Sequence, residues 1–472
     1  MARRRAAAGV TSPASRRPNV HHVPHPRRWQ VLAVLCVALC AIVIDNTILS
    51  IAVPSIGREL GADETDLQWI TAAYALVLSG LLLPLAMLGD RYGRRRAFIA
   101  GLLVFGSASA VAATVDSAAG LVVCRGVMGV GGAAAMPATL AIIGDVFGPV
   151  ERGRALSVWS GVAGFAGAAG PLVGGVLLSR FWWGSVFLVN VPVVIGGVIA
   201  AMLVVPESRD PAAPRIDWPG AALWTGALVG LLFGIIEGPV RGWTATAVVA
   251  PIAATVVLLL AFAWREQRAP APLLPPVTAR HPGMRAGAAI VPAAFFALFG
   301  GQFVLTQWLQ GPRALGTIAA AACFVPNALA SIAGAFTNPY AVARLGAART
   351  IRFGVAIMTA GLLGTGLGIA TGLVPLVLVT FGVVGLGQGF VIPTGIELIM
   401  TSASADKAGS AAGVNETIIE AGGALGVAVM GSVLVGTGSF SRPLVVGAVG
   451  LVLGAAVSLR VQRRAARAAH RG

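Results

Sequence analysis

The sequence predicts an all-α polytopic membrane protein: two six-helix bundles in a parallel pseudo-two-fold repeat, plus two extra central helices, fourteen spans in all. Three observations predict it. Apolar runs of ~20 residues recur along the chain, each enough to cross a ~30 Å hydrocarbon core. The basic residues fall almost entirely into alternate loops. Distant parts of the chain superimpose at one constant offset.

The apolar runs lie at roughly 31–54, 67–88, 97–115, 119–143, 155–178, 185–205, 217–238, 244–264, 286–309, 317–338, 351–370, 374–399, 411–435 and 441–460. The composition is 57% hydrophobic and only 11% charged, against about 25% charged in a soluble domain. A backbone in lipid must satisfy itself, so the spans are helices or a closed barrel. Barrel strands alternate in hydrophobicity over ~10 residues; these runs do not alternate, and helices follow.

The net charge of +16 could suit nucleic acid, but its placement does not. Nearly every Arg lies between apolar runs or on a tail, and Lys407 is the single Lys. With the tails on one side, only Arg58, Arg180, Arg241, Arg313 and Arg442 fall on the other, and Arg125 falls within a span. The positive-inside rule then expects both termini in the cytoplasm. Removing one span would scramble this asymmetry, which supports an even count of fourteen. The first 28 residues carry seven Arg, and the run behind them exceeds a signal-peptide h-region and shows no convincing cleavage site, so it reads as a retained first span behind a basic tail.

Cys36, Cys40, Cys124 and Cys323 all sit in apolar runs and form no metal-type pair. His21, His22, His25, His281 and His470 lie in tails or the central loop, which argues against heme or zinc. No GxxxxGK[ST] loop occurs, so no nucleotide is expected.

Shifting the chain by 256 residues lays RGVMGVGGAAAMP (125–137) over FGVVGLGQGFVIP (381–393), matching Gly126, Gly129, Gly131 and Pro137 to Gly382, Gly385, Gly387 and Pro393. The same shift lays 151–178 over 407–434. A third match, RYGRRR (91–96) over RLGAAR (344–349), needs a slightly different shift. The expected organisation is a basic cytoplasmic tail (1–28), a six-helix bundle (29–205), a linker with two extra spans and a Pro-rich loop (206–284), a second six-helix bundle (285–460) and a basic tail (461–472). Parallel six-helix repeats around a midplane site are a transporter plan.

GDRYGRRR (89–96) resembles the loop signature of the major facilitator superfamily, carried by Gly89, Asp90, Arg91, Gly93, Arg94 and Arg95. In this reading Asp90 caps or faces a helix terminus and the Arg cluster faces the cytoplasm. IDNTILSIAVP (44–54) resembles the first-span signature of the family, departing at Ser50 where Asn is usual. CRGVMGVGGAA (124–134) resembles its fourth-span motif, with Met128 in place of Gln. GAAGPLVGG (167–175) resembles the antiporter motif, with Gly170, Pro171, Gly174 and Gly175 allowing close helix approach and a bend. With fourteen spans, these resemble the drug:H+ antiporter branch, and the V-N-E-T pattern of the thirteenth span is similar to its quaternary-ammonium and multidrug exporters. The resemblance implies a monomeric exporter in a bacterial cytoplasmic membrane, driven by the proton gradient with no cofactor.

Ionisable groups inside spans are functional candidates by default. Asp45 and Arg125 both fall in the half of the bilayer away from the chain ends, as candidates for an ion pair or a proton-sensitive hydrogen bond; in related antiporters such an Arg helps the Asp load and release protons. Glu416 and Glu420 are four residues apart and share a helix face. The repeat sets them over Ser160 and Gly164, so the second half alone carries these carboxylates. In an apolar interior each needs a proton or a cation to offset its charge, which suits exchange of one for the other. Asn415, Gln302, Gln307 and Trp308 are candidate cavity residues, the last by cation–π contact. Glu397, Asp145 and Glu237 lie near span ends and read as interfacial. The expected partners are lipid, protons and a hydrophobic or cationic small molecule, with no nucleic acid. Rival readings are an exporter of one metabolite, such as a self-made antibiotic or an amino acid, and a non-transporting membrane sensor; a lipid-phosphate enzyme would need clustered Asp or His at a membrane face, which the sequence lacks.

Overall fold

A computed structural model of the chain describes residues 25–210, 216–269, 272–273, 279–402 and 408–469. Most of the basic N-terminal tail, part of the Pro-rich loop, Lys407 and His470 lie outside these residues. Among the described residues, fourteen helices are long and apolar enough to cross a membrane. They are α1 (Arg28–Leu60), α2 (Glu64–Tyr92), α3 (Arg94–Ala112), α4 (Ala118–Val146), α5 (Pro149–Arg180), α6 (Ser185–Val204), α7 (Trp218–Arg241), α8 (Thr246–Glu266), α9 (Pro282–Gln310), α10 (Thr317–Leu345), α11 (Ala347–Thr371), α12 (Val374–Met400), α13 (Ala408–Thr437) and α14 (Arg442–Ala469). The helices overrun the apolar runs at most ends, because polar residues in the interfacial turns continue or cap them. Asp63 and Asp66 form a reciprocal capping box at the start of α2, and Ser117 accepts from the Gly120 amide at the start of α4. Odd-numbered helices start on the side of the chain ends, here the terminus side, and finish on the far side.

The internal repeat is a packing repeat. Gly101 on α3 and Gly131 on α4 face each other so closely that a Cβ on either would come within 2.7 Å of the other's carbonyl oxygen. Gly354 on α11 and Gly387 on α12 make the same reciprocal crossing, at 3.0 and 2.6 Å. Without a hydrophobic force between helices in lipid, such backbone contact is what holds them together. The weaker third match is seen as well, since Gly93 and Gly346 both take positive φ (130° and 77°) at the turns that open α3 and α11. A non-glycine residue is strained at either turn.

The two bundles meet along α2 and α13. Gly413 packs against Leu83 toward the terminus side, and Gly431 packs against Gln68 toward the far side. Other ties lie at the far ends. Gln310 donates to the Ile51 carbonyl at 2.9 Å, and Thr317 donates to the Gly175 carbonyl at 3.2 Å. The extra helix α7 lies over the α2–α13 seam. Its Leu232 and Ile236 form one buried cluster with Ala72, Ala75 and Leu76 of α2 and Ala424 and Ala428 of α13. Polar bonds fix it to both sides: Trp69 donates to Glu237 at 3.2 Å, and Ser432 donates to the Ile235 carbonyl at 2.6 Å. Glu237 also pairs with Arg241 at 2.5 Å, so it has protein partners rather than interfacial water alone. Helix α8 touches α7 and is otherwise exposed.

The glycine crossings carry a direct test. Gly131→Leu drives a side chain into the backbone of Phe105, whose amide nitrogen lies 2.6 Å from where a Cβ on residue 131 would stand. The expected cost is on the order of 1–3 kcal/mol, read as a lower thermal midpoint of the purified protein. Gly164→Ala, where nothing lies within 4 Å, leaves the midpoint unchanged or slightly raised; equal losses for both would sink the packing argument.

Candidate functional site

Three consecutive residues of α1 point in three directions. Asp45 turns into its own bundle, Asn46 toward the opposite bundle, and Thr47 against α5. The ~100° step of an α-helix produces this fan from an unbroken run.

Asp45 is fully buried and accepts from Arg125 Nη1 at 2.5 Å. Its other oxygen accepts from Asn190 Nδ2 at 2.8 Å, and the same amide reaches Ser109 Oγ at 3.1 Å. Asn190 stands where α6 restarts, next to the break at Val189. Arg125, also fully buried, lies over the Tyr74 ring at 4.5 Å and points Nε at the Ile70 carbonyl, 3.4 Å away. The pair is therefore held from α1, α2, α4 and α6 together. Breaking one partner of such a pair would leave an uncompensated buried charge.

Asn46 Nδ2 reaches Glu420 Oε1 at 3.5 Å, a long contact that links the two bundles at mid-membrane depth. Glu420 Oε2 is buried with no hydrogen-bond partner among the described residues. A narrow cavity of about 30 Å³ opens beside it, lined in part by Asn46, Ser50, Phe299, Gln302 and Phe303. That volume admits about one water molecule. Glu416 lies one turn toward the terminus side, beside Asn415 in sequence. Glu416 and Asn415 do not line this cavity.

Of the other proposed cavity residues, Gln302 lines it, and Gln307 and Trp308 do not. Trp308 is buried at the far end of α9 with Arg313 over its ring at 5.0 Å, and Gln307 is buried beside it. Both lie a turn or more beyond Gln302 along α9 and are not among the lining residues. Trp308 is also no membrane-interface ring, being only 4% exposed.

The antiporter-like motif forms helix contacts. A Cβ on Gly170 would overlap the Thr47 hydroxyl, one on Gly174 would come within 2.7 Å of Ile48, and one on Gly175 within 2.9 Å of Ala321 on α10. Pro171 sits inside α5, which continues through it. The equivalent helices differ in setting: 72% of the α13 window is buried against 28% of the α5 window. Glu416 and Glu420 thus sit on the enclosed copy, while Ser160 and Gly164 face open space on the other.

In the terminus-side loop, Asp90 makes no capping bond but faces the start of α3, the second of the two expected roles. It pairs with Arg94 at 2.7 Å, and Arg94 also pairs with Asp145 at the end of α4. Asp145 is therefore ion-paired rather than merely interfacial. The Arg95 amide donates to Glu207 at 3.1 Å, Arg96 lies 3.6 Å from the same carboxylate, and Arg91 lies exposed over Tyr92. Gly93 leaves room for Glu207, whose carboxylate a Cβ there would meet at 2.8 Å. Gly89 lets α3 pass, a Cβ there lying 3.0 Å from that of Ala97.

Sequence reasoning missed Tyr74, Asn190, Asn46 and Gln310. Asn46 carried a signal, as a polar neighbour of Asp45 in a span. The other three are single polar residues whose partners are remote in sequence, and nothing in a linear pattern pairs them.

The chain is 32% identical over 413 residues to the tetracenomycin C resistance and export protein of Streptomyces glaucescens, covering 86% of this chain and 76% of that protein. It is 34% identical over 423 residues to the puromycin resistance protein pur8 of Streptomyces alboniger, covering 88% and 83%. It is 32% identical over 408 residues to the multidrug efflux pump LfrA of Mycolicibacterium smegmatis, covering 86% and 81%. In fold it resembles the POT family transporter PepTSo, with a TM-score of 0.69 over 92% of this chain and 98% of that one at 16% identity. It also resembles the human organic anion transporter MFSD10, with a TM-score of 0.61 over 92% and 100% at 16% identity. The model of the Major Facilitator Superfamily matches residues 35–427, and this multi-pass membrane protein belongs to that superfamily of transporters.

Proposed function

We propose that the chain is a proton-coupled antiporter that exports lipophilic, cationic drugs or antibiotics by alternating access. The observation that carries this reading is Glu420: a buried carboxylate with a free oxygen, facing a cavity beside Phe299 and Phe303. A carboxylate with aromatic rings at hand is the chemistry of an organic-cation site. The printed names of the relatives, two of them antibiotic resistance or export proteins and one a multidrug efflux pump, support export as the direction.

In this reading both termini are cytoplasmic, following the basic loops, in the cytoplasmic membrane of a bacterium, and the transporter works as a monomer. The far side is then the outside, and the ties Gln310–Ile51 and Thr317–Gly175 hold it closed. The two repeats, 29–205 and 285–460, rock about the central site while 206–284 rides with the seam. The narrow cavity must widen for a drug, since small-molecule sites run to ~300–1,000 Å³. Glu416 meets the cation on the way in, and Glu420 holds it deeper. After the switch, protons from outside neutralise the carboxylates, the cation leaves, and the protons are released inside. The Asp45–Arg125 pair takes part by exchanging its ion pair for a protonated Asp45. The loop residues Gly89, Asp90, Arg91, Gly93, Arg94 and Arg95 tie α2, α3 and α4 into one moving body, and Gly170, Pro171, Gly174 and Gly175 give α5 its seat on α1 and α10. Two relatives are named for a single antibiotic, which favours one specific product as the second reading; efflux across a compound panel separates broad from single-compound transport.

In vesicles with an imposed pH gradient, efflux of a fluorescent organic cation falls at least about tenfold, or 1.4 kcal/mol, for Asp45→Asn and Glu420→Gln, and less for Glu416→Gln. Wild-type coupling in all three would remove the mechanism. Cation binding measured at equilibrium weakens as pH falls, because protons and cation compete for the same carboxylates; Glu420→Gln flattens this dependence, and an unaltered pH slope would clear Glu420 of the role. Tyr74→Phe keeps the ring under Arg125 and transports close to wild type, since the hydroxyl has no hydrogen-bond partner among the described residues. Tyr74→Leu removes the ring and cuts transport severalfold, in line with a cation–π loss of ~1–2 kcal/mol; the reverse order would assign the work to the hydroxyl.

A further inference from the structure

A groove with a free volume of about 510 Å³ runs between α11 and α14, on the side of the second bundle away from the central site. Its walls are apolar, including Val355, Ala360 and Leu363 on α11 and Val452, Ala456 and Leu459 on α14. Arg352 closes its terminus-side end. Arg463 follows Leu459 by four residues and so continues the same helix face. Arg349, three residues before Arg352, does likewise on α11. All three guanidinium side chains are exposed, and no acidic partner is seen for them among the described residues.

The dimensions suit one leaflet. From Arg352 to Leu363 the helix rises about 16 Å at 1.5 Å per residue, close to half of the ~30 Å hydrocarbon core. An apolar slot of that depth with cations at its rim is complementary to a chain-bearing anion, whose phosphate sits at the rim and whose tail fills the slot. Phosphate is the group that Arg pairs bind best, through parallel N–H donors.

We propose that this groove binds an anionic phospholipid of the terminus-side leaflet, with one acyl chain between α11 and α14 and the phosphate held by Arg352 and Arg463. The site is separate from the cation site and does not depend on the transport reading.

The test uses the full chain purified in mild detergent. Phosphatidylglycerol is expected to raise the thermal midpoint by several degrees more than phosphatidylcholine of the same chains, as a ligand that binds the folded state must. Arg352→Gln with Arg463→Gln removes that difference while leaving the lipid-free midpoint in place. Ala456→Phe fills the groove and abolishes the effect with both arginines intact; if that variant does not fold, Ala360→Leu on the facing helix serves. Equal shifts from the two lipids in the wild type overturn the proposal, as does a phosphatidylglycerol effect that survives both the arginine and the groove variants. Protection by glycerol phosphate equal to that of the lipid overturns it too, since the groove then has no part. So does a concentration-dependent dimer that cancels the effect, which assigns the groove to a second copy of the chain.

Discussion

The ion pair between Asp45 and Arg125 is the constraint around which the first bundle is built. Two charges removed from water cost more than their attraction returns unless every remaining donor and acceptor is met. Here α2 supplies the Tyr74 ring and the Ile70 carbonyl, and α6 supplies Asn190. Four helices must therefore hold one register for the pair to be tolerated. That register fixes the rotation of α1, and the rotation of α1 aims Asn46 at Glu420 and Thr47 at Gly170. A pair buried in one bundle thereby sets what the neighbouring residue offers to the other.

The repeat explains what holds each bundle together. The Gly101–Gly131 and Gly354–Gly387 crossings bring backbone against backbone, where neither helix can shift without collision. The copies then diverge at their edges. On α5 the positions equivalent to Glu416 and Glu420, Ser160 and Gly164, are small and open; on α13 they carry the carboxylates and are enclosed. One copy contributes space and the other contributes charge, so a site arises between halves that share a scaffold.

Much of this is legible in the sequence, and the reasons differ by feature. Spans are legible because lipid imposes length and hydropathy on a contiguous segment. The glycine repeat is legible because close crossings forbid side chains at fixed offsets. Asp45, Arg125 and Glu420 stand out because charge in an apolar run is rare. Depth along a helix can be counted, but azimuth cannot, and so the linear pattern assigns Gln307 and Trp308 to a cavity that they do not line. The two roles open to Asp90, capping or facing a helix terminus, cannot be told apart for the same reason, since the Asp145 on α4 that also holds Arg94 lies 51 positions after it in the chain. Tyr74 and Asn190 carry no periodic or charge signal at all.

The seam between α2 and α13 is in contact from Leu83–Gly413 at one level to Gln68–Gly431 at the other. Surfaces that touch along their whole length cannot part at either end without losing that contact, but they can roll. In the rocking motion proposed above, the seam is the axis, and displacement grows with distance from it. Helix α7 is bonded to both of its sides, at the place where a rolling motion moves atoms least. That geometry accounts for how a twelve-helix machine can carry two further spans: α7 is moored at the fulcrum, where neither bond has far to stretch, and α8 rides on α7.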